Sequence, residues 1–260
     1  MPGADGELRT SSAFGRRPLA EPASPFAELQ VTLYVGTSGF SYPEWKGTFY
    51  PEGLPAGRFL DAYAKRLNAV EVNNTFQRIP QEAALAKWVR DTPPDFRLCL
   101  KAQRALTYSA AGFPKDIVAR DFGTRMRPLG ERAGPVLLQF PPTQKRNPEL
   151  LETLLANLAR PVAVEFRDSG WLDPEIYEVV ERHRCAVVVT DQEDWPLADA
   201  AGAFRYYRLR RDYSEEQLRP WAERLASEVA SGLEVFAFLR HSVEAPQRAL
   251  LLRAFASGKG

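Results

Sequence analysis

Short apolar runs recur along the chain from residue 31 onward, each about as long as a β-strand. They predict eight strands, at 31–36, 68–73, 96–101, 135–140, 162–167, 186–191, 204–210 and 234–240. Most intervals between them carry apolar residues at the i, i+3, i+4 spacing of one helical face. Strands that are apolar on both faces and alternate with helices indicate a parallel sheet covered by helices.

Capping residues predict where three of the helices begin. Asn147 and Asp173 each precede a proline, an arrangement typical of an N-cap residue followed by the first helical turn. Residues 214–217, Ser-Glu-Glu-Gln, form a capping box. The connection at 192–203 has no such signal and is predicted to be a loop with at most one helical turn.

Eight strand-and-helix units over about 230 residues predict a closed (β/α)8 barrel of the TIM type, a single domain over residues 31–260. The alternative is an open doubly wound sheet, which often has a glycine-rich phosphate loop after its first strand. Residues 36–41, GTSGFS, match neither the dinucleotide nor the Walker pattern, which favours the barrel. Residues 1–30 are rich in Gly, Pro, Ala and Ser and are predicted to be a disordered N-terminal tail.

Polar side chains gather at the carboxyl ends of the predicted strands, where barrel enzymes build their active sites. Glu71 and Asn73 lie two residues apart, so both point to the same side of the second strand, and Glu165 and Arg167 repeat this arrangement in the fifth. Further polar residues at strand ends are Ser38, Lys101, Gln139, Asp191 and Arg208. A self-satisfied salt-bridge network would explain any one of them, but the recurrence over seven strands indicates a common site.

The charges at these strand ends indicate the kind of ligand. Three acids, Glu71, Glu165 and Asp191, are balanced by three bases, Lys101, Arg167 and Arg208. Interleaved Lys and Arg repel a cation and favour a phosphate or carboxylate group. The sequence therefore predicts a small polar or anionic ligand and requires no cofactor, although Mg²⁺ or Mn²⁺ on the carboxylates stays open.

A zinc site is not predicted. The chain has only two histidines, His183 and His241, and neither Cys99 nor Cys185 has the spacing of a metal ligand. Both cysteines lie in apolar runs, where a thiol packs as a small hydrophobic group.

Aromatic residues crowd the loops that follow the strands. Among them, Trp45 and Trp171 are predicted to contact the ligand, and Trp195 lies in the same region. Flat rings near charged groups suit stacking on a sugar or a nucleobase. The alternative is that these rings close the top of the barrel as a plug.

The overall composition limits the partners. With 34 basic and 33 acidic residues, the formal charge of +1 provides no field for bulk binding to nucleic acid or anionic membranes. No apolar segment reaches the ~20 residues that span a bilayer, and no signal core is evident at the N-terminus. We expect a cytoplasmic protein without membrane contact. Its oligomeric state is left open.

Seven segments resemble, in order and spacing, the YecE-like proteins, or domain of unknown function 72. They are VGTSGFSYPEWKGTFYPEGLP (35–55), AVEVNNTFQRIP (69–80), FRLCLKAQRALTY (96–108), GPVLLQFPP (134–142), VAVEFRDSGWLDP (162–174), VVVTDQEDWP (187–196) and YYRLR (206–210). The resemblance implies a TIM-type barrel without an established reaction. The matching pocket positions are Gly36, Ser38, Trp45, Glu71, Asn73, Thr75, Lys101, Gln139, Glu165, Arg167, Asp191 and Arg208. Gln77 stands where this family usually has an aromatic residue.

Two functional hypotheses follow from these residues. The first is an enzyme, a hydrolase, lyase or isomerase, that uses acid/base chemistry on a phosphorylated or sugar-containing substrate. Its predicted catalytic residues are Glu71, Lys101, Glu165 and Asp191. Its predicted substrate-binding residues are Ser38, Trp45, Asn73, Thr75, Gln139, Arg167, Trp171 and Arg208. The second hypothesis is a nucleic-acid-binding protein, in repair or RNA processing, that holds a base or abasic site in the same cleft.

Overall fold

The structure is a computed structural model, and it describes residues 32–108, 114–192 and 198–258. The predicted tail, residues 1–30, and Trp195 lie outside the described residues. All eight predicted strands are present within them, which confirms the interpretation of the apolar runs.

The strands are β1 (Leu33–Thr37), β2 (Ala69–Val72), β3 (Arg97–Leu100), β4 (Val136–Phe140), β5 (Val162–Phe166), β6 (Ala186–Thr190), β7 (Arg205–Leu209) and β8 (Val235–Leu239). Six of them form a parallel sheet in the order β1-β8-β7-β6-β5-β4, and β2 pairs with β3 in parallel. Single parallel bridges connect Ser38 with Glu71 and Lys101 with Leu137. The carboxyl end of β2 therefore lies beside β1, and that of β3 beside β4.

The helices are α1 (Phe59–Ala64), α2 (Glu82–Asp91), α3 (Arg104–Thr107), α4 (Lys115–Arg125), α5 (Pro148–Leu158), α6 (Pro174–Arg182), α7 (Glu215–Ala230) and α8 (Ala245–Ala256). The predicted caps are confirmed. Asn147 accepts from the Leu150 amide at 2.9 Å and Asp173 from the Ile176 amide at 3.1 Å, while Ser214 and Gln217 form the capping box of α7. In the described part of the connection from β6 to β7 there is no helix, as predicted.

Alternation along the strands separates two apolar layers. One face packs against the helices in the main core. The other face forms a second buried cluster to which every strand contributes: Tyr34, Ala69, Cys99, Leu137, Ala163, Ala186, Val188, Phe204, Tyr206, Phe236 and Phe238. Residues two positions further along these strands continue on the same face, which is how the polar residues at the strand ends come to point toward one region.

The close approach of β1 to β2 explains why residue 36 is a glycine. A Cβ atom at this position would lie 1.9 Å from the carbonyl oxygen of Ala69, closer than real atoms approach. Only glycine allows the two strands to come this close, and the contact sets Ser38 beside Glu71.

In the described residues, no helix has both the length and the apolar character needed to cross a membrane.

Candidate functional site

Arg208 of β7 lies between two carboxylates from other strands. Its Nε and Nη2 atoms donate to the two oxygens of Glu71, both at 2.9 Å, and its Nη1 donates to Oε2 of Glu165. All three side chains are buried, with Arg208 only 3% exposed. Each guanidinium nitrogen thus donates to a buried carboxylate, so Arg208 is paired with two acids of the protein, whereas we predicted from the sequence that it binds the substrate.

Glu71 accepts further hydrogen bonds from Ser38 Oγ (2.8 Å), Asn73 Nδ2 (3.1 Å) and Tyr206 OH (3.0 Å). Burial alone would raise the pKa of Glu71, but the charges of Arg208 and Arg210 outweigh it and lower that pKa to about 2. A carboxylate with this pKa and with both oxygens occupied is a poor proton acceptor near neutral pH. In the structure Glu71 binds and orients Arg208. This role differs from the acid/base role that we predicted for Glu71.

Sequence reasoning missed two members of this cluster, Tyr206 and Arg210. Arg210 Nη1 donates to Ser38 Oγ at 2.9 Å. Burial and the charge of Arg208 lower the pKa of Arg210 to about 10. The signal was present in YYRLR, because positions 206, 208 and 210 share one parity along β7 and its extension.

A chain of hydrogen bonds connects Lys101 of β3 with Glu165 of β5. Lys101 Nζ donates to Gln139 Oε1 at 2.7 Å, and Gln139 Nε2 donates to Glu165 Oε2 at 3.0 Å. Burial and the positive charge of Arg208 lower the pKa of Lys101 to about 8. Near this pH a substantial share of the amine is uncharged and can act as a base or nucleophile.

Several buried polar atoms at these strand ends have no hydrogen-bond partner among the described residues: Glu165 Oε1, Thr190 Oγ1 and Asp191 Oδ2. Glu165 Oε1 does contact Arg167 Nη2 as an ion pair. Thr190 was missed from the sequence, although it shares the parity of Val188 in the second cluster. Buried polar groups are usually satisfied, so Thr190 Oγ1 and Asp191 Oδ2 mark a place for a polar ligand group, whereas Glu165 Oε1 already has Arg167 as its partner.

Asp191 lies next to this group at the end of β6. Its Oδ1 accepts from the backbone N–H of Arg210, and its carbonyl accepts from Arg211 Nε at 2.8 Å. Burial raises the pKa of the Asp191 carboxyl. Asp191 therefore holds the extension of β7 in place and keeps one oxygen available.

Trp45 and Trp171, predicted to contact the ligand, are fully buried. Their indole N–H groups donate to the carbonyls of Ser242 and Gln144, at 2.9 and 2.8 Å. Trp171 also stacks on Phe166 with ring centres 4.9 Å apart. Both rings are therefore buried in this arrangement, as expected for side chains that close the top of the barrel and not for side chains that contact a ligand. The nucleic-acid hypothesis relied on such rings for stacking and has two fewer of them.

Thr75 is buried, and its one hydroxyl hydrogen is shared between the carbonyls of Val72 and Lys101, at oxygen–oxygen distances of 2.9 and 2.7 Å. It connects the ends of β2 and β3 through its hydroxyl and does not present that hydroxyl to a ligand.

The donor set does not fit a divalent cation. Glu71 and Glu165 are both paired with Arg208, and Arg167, Arg210 and Lys101 add positive charge around them. No group of three His, Cys, Asp or Glu side chains within 32–108, 114–192 and 198–258 is arranged to hold a metal ion. When Arg210 is added to the three predicted bases, the bases at the site outnumber the three acids. This charge balance favours binding of an anionic ligand.

Comparison with known proteins identifies the family of the chain. The family described as "Protein of unknown function DUF72" matches residues 34–259. The chain belongs to this family. The UPF0759 protein YecE of Escherichia coli (strain K12) is 33% identical over 111 residues, which is 43% of this chain and 38% of YecE. The UPF0759 protein YunF of Bacillus subtilis (strain 168) is 28% identical over 156 residues, covering 56% of this chain and 54% of YunF. The matched stretches thus span less than two thirds of the length of these two relatives.

Solved structures of DUF72 proteins share the fold. The DUF72 family protein TM1631 from Thermotoga maritima MSB8 has a TM-score of 0.72 and 28% identity, over 86% of this chain and 99% of that one. The DUF72 family protein EF0366 from Enterococcus faecalis V583 has a TM-score of 0.69 and 18% identity, over 86% and 97% of the two chains. The resemblance seen in the sequence motifs is confirmed.

Proposed function

We propose that this DUF72 protein is an enzyme that acts on a small anionic carbonyl compound, with Lys101 as its reactive amine. The observation that carries the proposal is the environment of Lys101. Its amine is largely buried, has cationic neighbours, and donates to an uncharged acceptor, Gln139. Desolvation and a neighbouring cation are the two means by which enzymes activate a lysine for Schiff-base chemistry.

In this proposal the amine nitrogen of Lys101 adds to the carbonyl carbon of the substrate, and loss of water gives an imine. Glu165 is connected to Lys101 through Gln139, and its Oε1 is paired with Arg167. Glu165 serves as the acid/base group that moves protons during addition and release of water.

Arg167 and Arg210 bind the anionic group of the substrate. Burial lowers the pKa of both guanidinium groups, even though Arg167 is already paired with Glu165, which indicates that both would gain from a further negative partner. Arg208 and Glu71 form the fixed base beneath them.

The proposal includes the architecture, in which the eight strands close into one (β/α)8 barrel. The two bridges between the sheets and the buried cluster drawn from every strand support closure. Closure places the carboxyl ends of β2, β3, β5 and β7 around a single opening, as the active sites of TIM barrels require.

The test is reductive trapping. The protein is incubated with glyoxylate, pyruvate or glyceraldehyde 3-phosphate and sodium cyanoborohydride, and modified peptides are identified by mass spectrometry. We expect a secondary amine on Lys101 that is lost in Lys101→Met and retained in the control Lys65→Met, since Lys65 is exposed and paired with Asp61. Modification of other lysines with Lys101 unmodified would contradict the proposal.

The role of Glu165 needs a separate measurement. Glu165→Gln should form the trapped adduct more slowly, because Glu165 moves the protons of addition and water loss, and it should lose turnover on any substrate found in a panel of phosphorylated and carboxylated metabolites. Equal turnover by this variant and the wild type would remove Glu165 from the mechanism.

A further inference from the structure

A surface groove lies beside Lys101 at the same edge of the sheets. Its volume is about 680 Å³, and its lining residues follow β2, β3 and β4: Phe76, Gln77, Gln103, Arg104, Ala105, Tyr108 and Thr143. This volume is within the range of small-molecule sites, roughly 300–1,000 Å³. The groove is therefore large enough for a substrate part larger than a single carboxylate or phosphate.

Phe76 connects the groove to the reactive amine. The Nζ atom of Lys101 lies 4.5 Å from the centre of the Phe76 ring, and that ring also lines the groove. Thr75 fixes the short turn Asn74–Phe76 by its two hydrogen bonds to the ends of β2 and β3. The amine thus lies against a ring of this turn that also lines the groove.

The walls of the groove are suited to a flat ring. Tyr108 meets Phe76 at 68° with ring centres 5.7 Å apart, so the two rings form a corner. The guanidinium of Arg104 lies 4.8 Å from the centre of the Tyr108 ring and adds a second planar group. Planar side chains of this kind stack on aromatic ligands.

Two amide side chains complete the lining. For Gln77 and Gln103 the described residues provide no side-chain hydrogen-bond partner, so their donors and acceptors face solvent in the groove. Amides beside stacking rings match the edge of a ring that carries nitrogen or oxygen atoms.

From these observations we infer that the substrate is a heteroaromatic compound: its carbonyl carbon reaches Lys101 and its ring lies in the groove against Tyr108. This inference rests on the proposed function, because it identifies the ring of the same substrate whose carbonyl group reacts with Lys101. Gln77 and Gln103 then select rings with hydrogen-bonding edges over hydrocarbon rings.

The test compares two aldehyde phosphates as probes, pyridoxal 5′-phosphate, which has a heteroaromatic ring, and glyceraldehyde 3-phosphate, which has none. Imine formation is titrated for each probe, trapped with borohydride and mapped to Lys101. Values are divided by those for Nα-acetyl-lysine, because the two aldehydes differ in intrinsic reactivity. We expect the normalised affinity for the ring-bearing probe to be about tenfold higher.

Two variants of Tyr108 separate stacking from other effects. Tyr108→Ala should lose the roughly tenfold preference for pyridoxal 5′-phosphate and leave glyceraldehyde 3-phosphate unaffected, while Tyr108→Phe, which keeps the ring, should retain it. Equal normalised affinities for both probes, unchanged in Tyr108→Ala, would overturn the inference and leave the proposed function standing. Failure of both probes to modify Lys101 would overturn the proposed function itself.

Discussion

Arg208 and Glu71, 137 positions apart in the sequence, form a two-point ion pair in which both nitrogen–oxygen distances are 2.9 Å. Both side chains are buried, and Arg208 also donates a hydrogen bond to a second carboxylate, that of Glu165. The fold thus places one guanidinium between two carboxylates that would otherwise repel each other. Burial would lower the pKa of Arg208, but the two carboxylates raise it, so this cation stays charged.

Removing the charge of Arg208 should therefore be strongly destabilising. Arg208→Met keeps much of the side-chain volume but leaves Glu71 and Glu165 buried without a partner, and the expected loss is about 3–5 kcal/mol in the free energy of unfolding. Urea unfolding measures it. As a control, Arg240→Met removes an exposed ion pair with Asp212 and should cost less than about 1 kcal/mol. Similar losses in both variants would show that Arg208 is not the centre of a buried network.

The loss of stability at acid pH should depend on Glu71. Its pKa is about 2 in the folded protein and about 4.3 in an unfolded chain, so the ionised carboxylate stabilises the fold above pH 4.3. This contribution, about 3 kcal/mol, is lost as the pH falls from about 4.3 toward 2. Urea unfolding at several pH values should show a steeper acid decline for the wild type than for Glu71→Gln. Parallel profiles would indicate an ordinary pKa for Glu71.

Trp171 should contribute to stability and not to ligand binding. Its ring is buried against Phe140 and Phe166, so Trp171→Ala should cost about 3–5 kcal/mol by leaving a cavity, and Trp171→Phe less. Thermal and urea unfolding test this. If Trp171→Ala keeps full stability and loses ligand affinity, the ring stacks on the ligand as the sequence suggested.

Much of the fold could be predicted from the sequence because its signals are local. Apolar runs locate the strands, and the caps at Asn147, Asp173 and Ser214 depend on residues only three positions away. Parity also predicted that Glu71 and Asn73 share a face, and they are hydrogen-bonded at 3.1 Å.

The roles within the site could not be predicted in the same way. Whether Arg208 faces a ligand or two carboxylates depends on which strands lie opposite, a long-range property that parity does not give. The burial of Trp45 and Trp171 could not be predicted, because a position in a loop does not reveal burial. Thr190 and Arg210 were missed because a threonine in an apolar run and an arginine beyond a strand end are unremarkable until the neighbouring strands are placed.

The most direct test of the account is the titration of Lys101. Competitive labelling with acetic anhydride between pH 6 and 11, followed by mass spectrometry of the peptide that contains Lys101, gives the pKa of this amine. The account predicts a midpoint near pH 8, because burial and Arg208 disfavour the charged form. A midpoint near 10.4, the value of a free lysine side chain, would contradict it.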